Sequence, residues 1–442
     1  MGINRKIRSV VFVLIFIGIL TVRFWRLADN FIFDIDTQYQ ALLAETIIKD
    51  FHILWVGVSA SNIGYYLGPG LVYLTALLLW ISKGDPISLA YFSACAGAIT
   101  AASVFYITNK LYDKKVALIS TIIYGFSSFI ISYDHRYWPI FVPLIAIWMF
   151  YSLVKSAENP RWLILSAILI AASYHVHLSL LIFWPFILWR FIRQFKKIDW
   201  LTWAGSITVY FAITSPLLVF DFVHNFDNLL MPLRMLKNIA SSHDSGASFH
   251  FDLLFSLINR IWFNNFLAIV FSLLVLIFLL VEFKKHPNNL LIGIIFSFII
   301  LFGLYPGPIQ EYYIVFLFPF LAIAAASLFK RLPSAITFIF LFIFIAINSC
   351  QTLSAKTDRG LTAKKKLVKE ASQKITAGYY LSFDGSLDME GWRYLFEAYG
   401  KKPSQSKADS QFGWIYPDEI SKQKPKIKII ISNNQYFITH NE

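Results

Sequence analysis

Twelve apolar stretches run along this chain, and the loops between them have consistent charges only if one stretch stays out of the membrane. The exception is residues 65–81, which Gly68-Pro69-Gly70 breaks. About eleven unbroken apolar residues remain, against the roughly 20 that a helix needs to span the hydrocarbon core. With 65–81 kept to the interface, the other eleven alternate. Arg5, Lys6, Arg8, Lys110, Lys114, Lys115, Lys155, Arg161, Arg190, Arg193, Lys196, Lys197, Lys284, Lys285, Lys330 and Arg331 then fall on one side. The opposite loops hold only Arg26, Lys49, Lys83, Arg136, Arg234 and Lys237. Cytoplasmic loops carry the Lys/Arg excess, so the cation-rich side and the N-terminus are expected in the cytoplasm. Loop 28–86 and the C-terminal tail share the outer face.

At 57% hydrophobic, with 43 Phe among 442 residues, the chain reads as an all-α polytopic membrane protein. The net charge of +13 does not imply nucleic acid, because the cations sit at helix ends, where topology places them. The apolar run 9–25 lacks a small-x-small cleavage site and leads into Arg23-Phe24-Trp25-Arg26, so it reads as a retained first span. Spans are expected at 8–27, 87–109, 116–133, 139–154, 161–176, 178–192, 200–220, 257–281, 290–305, 312–329 and 333–350. Cys95 and Cys350 fall inside two of them as packing residues.

Two outer loops are long. In loop 28–86, Leu42, Leu43, Ile47, Ile48 and Phe51 recur at helical spacing opposite Gln38, Glu45 and Lys49. An interfacial helix over 37–51, lying on the membrane, is expected. Loop 221–256 is polar, with His224, Asp227, Arg234, Lys237, His243, Asp244, His250 and Asp252. Residues 1–351 form the membrane unit, and from 352 to 442 the composition becomes that of a small extracytoplasmic α/β domain. Its elements are expected at 361–375 (helix), 379–383 (strand), 389–399 (helix) and 426–432 (strand). Lys364-Lys365-Lys366 reads as a solvated helix face.

Titratable residues cluster at the outer ends of spans: Asp34 and Asp36, Asp134-His135-Arg136, His175 and His177, Asp221 and His224, and Glu311. Groups at one membrane depth and on one face indicate a site there. A lipid-linked phosphosugar suits this set. A carboxylate takes the proton of an attacking hydroxyl, and arginine or protonated histidine stabilises the departing phosphate. The leaving group is already activated, so no cofactor is obligatory. Asp34-Ile35-Asp36 also spells D-x-D, which keeps a divalent metal as the lesser alternative.

Four motifs follow one another in order: Asp36-Thr-Gln-Tyr39, Tyr66-Leu-Gly-Pro-Gly-Leu-Val-Tyr73, Leu111-Tyr-Asp-Lys-Lys115, and the run from Ser215 to Phe226. Through them the chain resembles the GT-C superfamily of membrane glycosyltransferases, closest to the glycosyltransferase family 39 type that includes protein O-mannosyltransferases and aminoarabinose transferases. The resemblance covers roughly residues 7–330. It implies a polyprenyl-phosphate sugar donor, inversion at the anomeric carbon, and an acid from the first outer loop. The first member of the family's acidic pair falls on Asp36 and the second on Thr37, a departure. The Lys that precedes the Pro pair in the aminoarabinose branch is replaced by Leu67-Gly68.

The expected site is therefore Asp36, with Asp34 beside it, as the base. Arg136, His135, His175, His224, Tyr66 and Glu311 are the candidates for substrate and phosphate. Each has a plainer reading: Asp36 as a helix cap in a Thr37–Gln40 capping box, His135-Arg136 as a solvated turn anchored by Trp138, His224 as packing, and Glu311 as a partner for a cation. The partners implied are the donor, membrane lipids and an acceptor that the sequence does not name. A transporter or flippase would place charges in mid-span, and a non-catalytic scaffold would need no site at all.

Overall fold

The computed structural model describes residues 5–60, 64–231, 233–234, 250–263, 266–305, 309–384, 390–432 and 435–440. The expected His243, Asp244 and Lys237 lie outside these residues. Each of the eleven expected spans has a helical counterpart. Among the described residues, six of these helices are long and apolar enough to cross a membrane: Ile87–Leu111, Leu178–Lys197, Trp200–Val223, Phe266–Lys285, Glu311–Lys330 and Ser334–Ser354. A seventh candidate is the pair Lys114–Phe126 and Ser128–Asp134, bent by 64°. The protein is a multi-pass membrane protein with a large aromatic and aliphatic core between its helices. Ala90, Ala94, Gly97 and Ala101 line helix Ile87–Leu111 and are buried. Small residues of this kind let neighbouring helices approach closely.

The bend at Ser127 leaves backbone groups that a membrane would not tolerate unpaired. Asn348 repairs it. Its Oδ1 accepts from Ser128 N at 2.9 Å and its Nδ2 donates to Trp262 O at 3.1 Å. Ser127 Oγ donates to Ile261 O at 2.7 Å.

The stretch 65–81 opens on the short strand Tyr65–Tyr66 and then holds the twelve-residue helix Gly70–Ile81. At 1.5 Å per residue it is about 18 Å long, well short of the bilayer core. The helix expected at 37–51 exists as Ile35–Asp50, and protein covers part of its apolar face. Leu42 and Leu43 are buried in a core shared with helix Gly70–Ile81 and the tail. The tail also reaches the polar face: Gln38 Oε1 accepts from Tyr394 N at 3.1 Å, and the exposed Lys49 Nζ reaches Glu397 at 2.8 Å. The residues between Gln38 and Lys49 thus read as amphipathic because two different partners flank them.

The expected span 257–281 is also corrected. It is two helices, Phe251–Trp262 and Phe266–Lys285, with an extended Phe263 closing the first. Arg260 is thereby released from a span and left exposed near the end of the first helix. Cys95 and Cys350 are free and exposed on helix surfaces rather than packed inside.

The tail folds as a four-stranded sheet in the order Gln405–Ser406, Tyr379–Phe383, Ile427–Ser432, Gln435–His440, the last pairing antiparallel and the others parallel. Parallel neighbours need a crossover, and helix Trp392–Tyr399 lies within the first one. Trp392, Leu395 and Phe396 are buried, and their cluster continues without a break into Phe31, Phe33 and Leu42 of the first long loop.

Candidate active site at the tail-bearing end

The first long loop enters the site through Phe31–Asp36. Asp34 is the N-cap of helix Ile35–Asp50: its Oδ1 accepts from Thr37 N at 2.9 Å and from the Thr37 hydroxyl at 2.7 Å. Both bonds satisfy helix-end needs, so capping falls to Asp34 and not to Asp36. The Thr37 departure has a local reason: its hydroxyl holds the capping carboxylate.

Asp36, in the first turn of that helix, has no hydrogen-bond or ion-pair partner among the described residues. Its proton affinity is raised, to about 7, first by burial and then by the like charge of Asp34. The residue is nonetheless exposed to solvent, which weakens the first cause and keeps the carboxylate available to a substrate.

The basic part of the site comes from the bent span. His135 turns inward, its Nε2 3.0 Å from Arg23 O. Its backbone carbonyl accepts from Ile32 N at 3.1 Å. That bond joins the loop bearing Arg136 to the loop bearing Asp34 and Asp36. Beneath it, Arg23 Nε meets Asp134 Oδ2 at 2.8 Å in a fully buried pair, and Arg23 Nη1 donates to Gly125 O at 2.7 Å. A Cβ on Gly97 would lie 2.5 Å from the Asp134 carboxylate, so the pair requires glycine there.

Arg136 then projects outward. Its Nη2 is 3.5 Å from Glu311 Oε1, and Arg260 Nη1 is 3.3 Å from Glu311 Oε2. Two guanidinium groups share one carboxylate, leaving a local excess of positive charge. Each also lies over an aromatic ring, Arg136 over Tyr133 at 5.1 Å and Arg260 over Phe129 at 4.4 Å. Beside them, His177 stacks on Trp138 at 5.4 Å and meets Tyr312 edge-on at 5.8 Å. Sequence reading missed Arg260, because the apolar residues around it hid the helix break.

The other expected residues are structural in this arrangement. His175 Nδ1 accepts from Gly70 N at 3.0 Å and its Nε2 donates to Ile213 O at 2.9 Å. It pins the start of helix Gly70–Ile81 to helix Trp200–Val223. A Cβ on Gly68 would fall 2.3 Å from the His175 ring, which accounts for the glycine. His224 stacks on Phe220 at 4.0 Å and donates from Nδ1 to Phe220 O at 2.8 Å, which is packing. Tyr66 is clamped by the buried Asn228, whose Oδ1 accepts from Tyr66 N at 2.6 Å and whose Nδ2 donates to Tyr66 O at 3.1 Å. The second long loop is thereby fastened to the first. Among the described residues no three His, Cys, Asp or Glu side chains gather as metal ligands.

No family model matches the sequence, nor does any curated protein sequence. Solved structures do match. The chain is similar to ArnT from Cupriavidus metallidurans bound to undecaprenyl phosphate, with a TM-score of 0.61 and 12% identity over 95% of this chain and 93% of that one. The likeness is one of fold, and it runs over nearly the whole of both chains. The apo state of ArnT matches with a TM-score of 0.64 and 12% identity over 96% and 93% of the two chains. The oligosaccharyltransferase of Archaeoglobus fulgidus in complex with zinc and sulfate matches with a TM-score of 0.50 and 14% identity over 95% and 67%.

Proposed function

We propose that this chain is an integral membrane glycosyltransferase. It moves a sugar from a polyprenyl-phosphate carrier to an acceptor hydroxyl on the extracytoplasmic face. The observation that carries the proposal is the joining, through Ile32 N and His135 O, of an unpartnered carboxylate to a pair of arginines held by one glutamate. The GT-C fold and the undecaprenyl phosphate bound by the similar ArnT accord with it.

The acceptor oxygen attacks the anomeric carbon from the side opposite the phosphate. The carbon–oxygen bond to phosphate breaks, and its electron pair stays on the phosphate oxygen. The hydroxyl proton passes to Asp36, which must therefore be ionised at the start. A single displacement inverts the anomeric centre. The donor phosphodiester carries one negative charge, and the released polyprenyl phosphate gains a second. Arg136 and Arg260 meet that gain, while Glu311 holds the two guanidiniums together before the donor arrives. Asp34 shapes the helix start and does not take the proton. The carrier phosphate is already a good leaving group, so no metal is assigned a step.

The test is release of free polyprenyl phosphate by the detergent-purified protein, using a panel of polyprenyl-phosphate sugars and a crude cell-envelope acceptor. Release from at least one donor, with and without EDTA to within about twofold, is expected, since none of the effects invoked needs a metal. Lipid scrambling without release from any donor would replace this reading with a flippase.

A further inference from the structure

The tail does more than pack on the membrane unit. We infer that Lys364, in tail helix Leu361–Gln373, is a positioning residue for the Asp34–Asp36 loop, and that the tail is thereby part of the active site. The inference rests on the glycosyltransferase reading above.

Lys364 is 2% exposed, an unusual place for a lysine. Its ammonium donates to Phe33 O at 2.8 Å and to Glu390 O at 2.9 Å, and it pairs with the Glu390 carboxylate. All three donors of the group are used. A buried cation is costly unless paired and hydrogen-bonded, so the geometry is held firmly. The Phe33 carbonyl that it holds belongs to the residue just before the capping Asp34. Burial lowers the proton affinity of Lys364, and Glu390 followed by Asp34 opposes that fall, so the cation also bears on Asp34.

The same loop is gripped on its other sides by the tail. Leu361 N donates to Phe31 O at 3.1 Å, and Ile32 forms a bridge with Gly360. The Phe33 ring stacks on Tyr394 at 5.5 Å. Gly391, at φ +69°, comes so close that a Cβ would lie 2.7 Å from the Phe33 ring and 2.9 Å from Asp34 O. The Asp34–Asp36 turn is thus built against the tail from Phe31 onward. A group whose direction sets proton transfer is sensitive to small displacements: about 1 Å of misplacement costs on the order of a hundredfold in rate.

The experiment compares Lys364→Met, Lys364→Arg and the isosteric Glu390→Gln with Lys366→Met, whose side chain is 78% exposed two residues along the same helix. Each is purified at full length and checked for a single monodisperse species. Two readouts are taken: polyprenyl phosphate release, as kcat and donor KM, and hydrogen exchange in peptides covering residues 31–40. Lys364→Met is expected to lower kcat about tenfold to a hundredfold, with donor KM within about threefold. Exchange at 31–40 should rise. Lys364→Arg should recover part of kcat, and Lys366→Met should match wild type in both readouts. If Lys364→Met does not fold, Glu390→Gln carries the same two expectations in weaker form. Wild-type kcat in a folded Lys364→Met, or unchanged exchange at 31–40, overturns the inference. If the wild type itself releases nothing from any donor, the glycosyltransferase reading fails, and the exchange data alone decide whether Lys364 holds this loop.

Discussion

Asp34 and Asp36 lie two residues apart and do different work, because one faces the backbone and the other faces open space. Replacing Asp34 by Asn keeps a side-chain oxygen for Thr37 N, whereas Asp34→Ala removes the cap and costs about 1 kcal/mol. Thermal unfolding of the two variants should therefore differ, Ala falling below Asn. Both retain Asp36, so both should keep measurable turnover. The pH profile carries the sign of the Asp36 shift. The base acts as carboxylate, so activity rises with pH through its pKa. Because burial and then Asp34 raise that pKa, the rising limb should sit above the ordinary aspartate value of about 3.9. A limb centred near 4 would remove Asp36 as the group being titrated. Arg260 and Arg136 share Glu311 equally in geometry, so Arg260→Ala should weaken donor binding as Arg136→Ala does. The expected loss is on the order of tenfold or more in kcat/KM, as for a charge-assisted contact.

Among the elements, hydropathy placed nearly every helix because lipid demands long apolar runs, and the Gly68-Pro69-Gly70 break was legible because glycine and proline punctuate any such run. What hydropathy hid was the break before Phe266. Phe251–Trp262 is apolar enough to extend a span on paper, and Arg260 is a single cation within it. The histidines were legible as a cluster but not as to role. His135 and His175 sit at span ends as expected, yet each spends its ring on a backbone carbonyl of another helix, a relation that no local pattern encodes. Lys364 is the sharpest failure: three consecutive lysines read as a wet face, and one of them is among the most buried residues of the tail. The strand Gln435–His440 was missed because it is a short edge strand, largely exposed, with little alternation to mark it. At this scale Gly68→Ala is a direct check. Its Cβ would meet the His175 ring, so the variant should unfold at lower temperature by an overpacking cost of about 1–3 kcal/mol.

Across the whole molecule, the tail and the first long loop share one core, with ion pairs closing the seam. Asp85 accepts from Tyr399 and Ile87 N and pairs with Lys365 at 3.0 Å. Burial alone would raise its pKa, but these partners prevail and hold it below the ordinary range. A depressed folded-state pKa stabilises the seam above the unfolded value, and that contribution is lost as pH falls through the folded one. Exchange of the tail helices should therefore speed up below about pH 4 while the membrane helices stay protected. The proton acceptor, Asp36, stands at the edge of this seam. The most direct test of its role is single-turnover release of polyprenyl phosphate at pH 8 by the wild type and by Asp36→Asn, with saturating donor. Release by the wild type is expected, with a loss of about a hundredfold or more in the variant and donor still bound. Equal rates in the two proteins would contradict it.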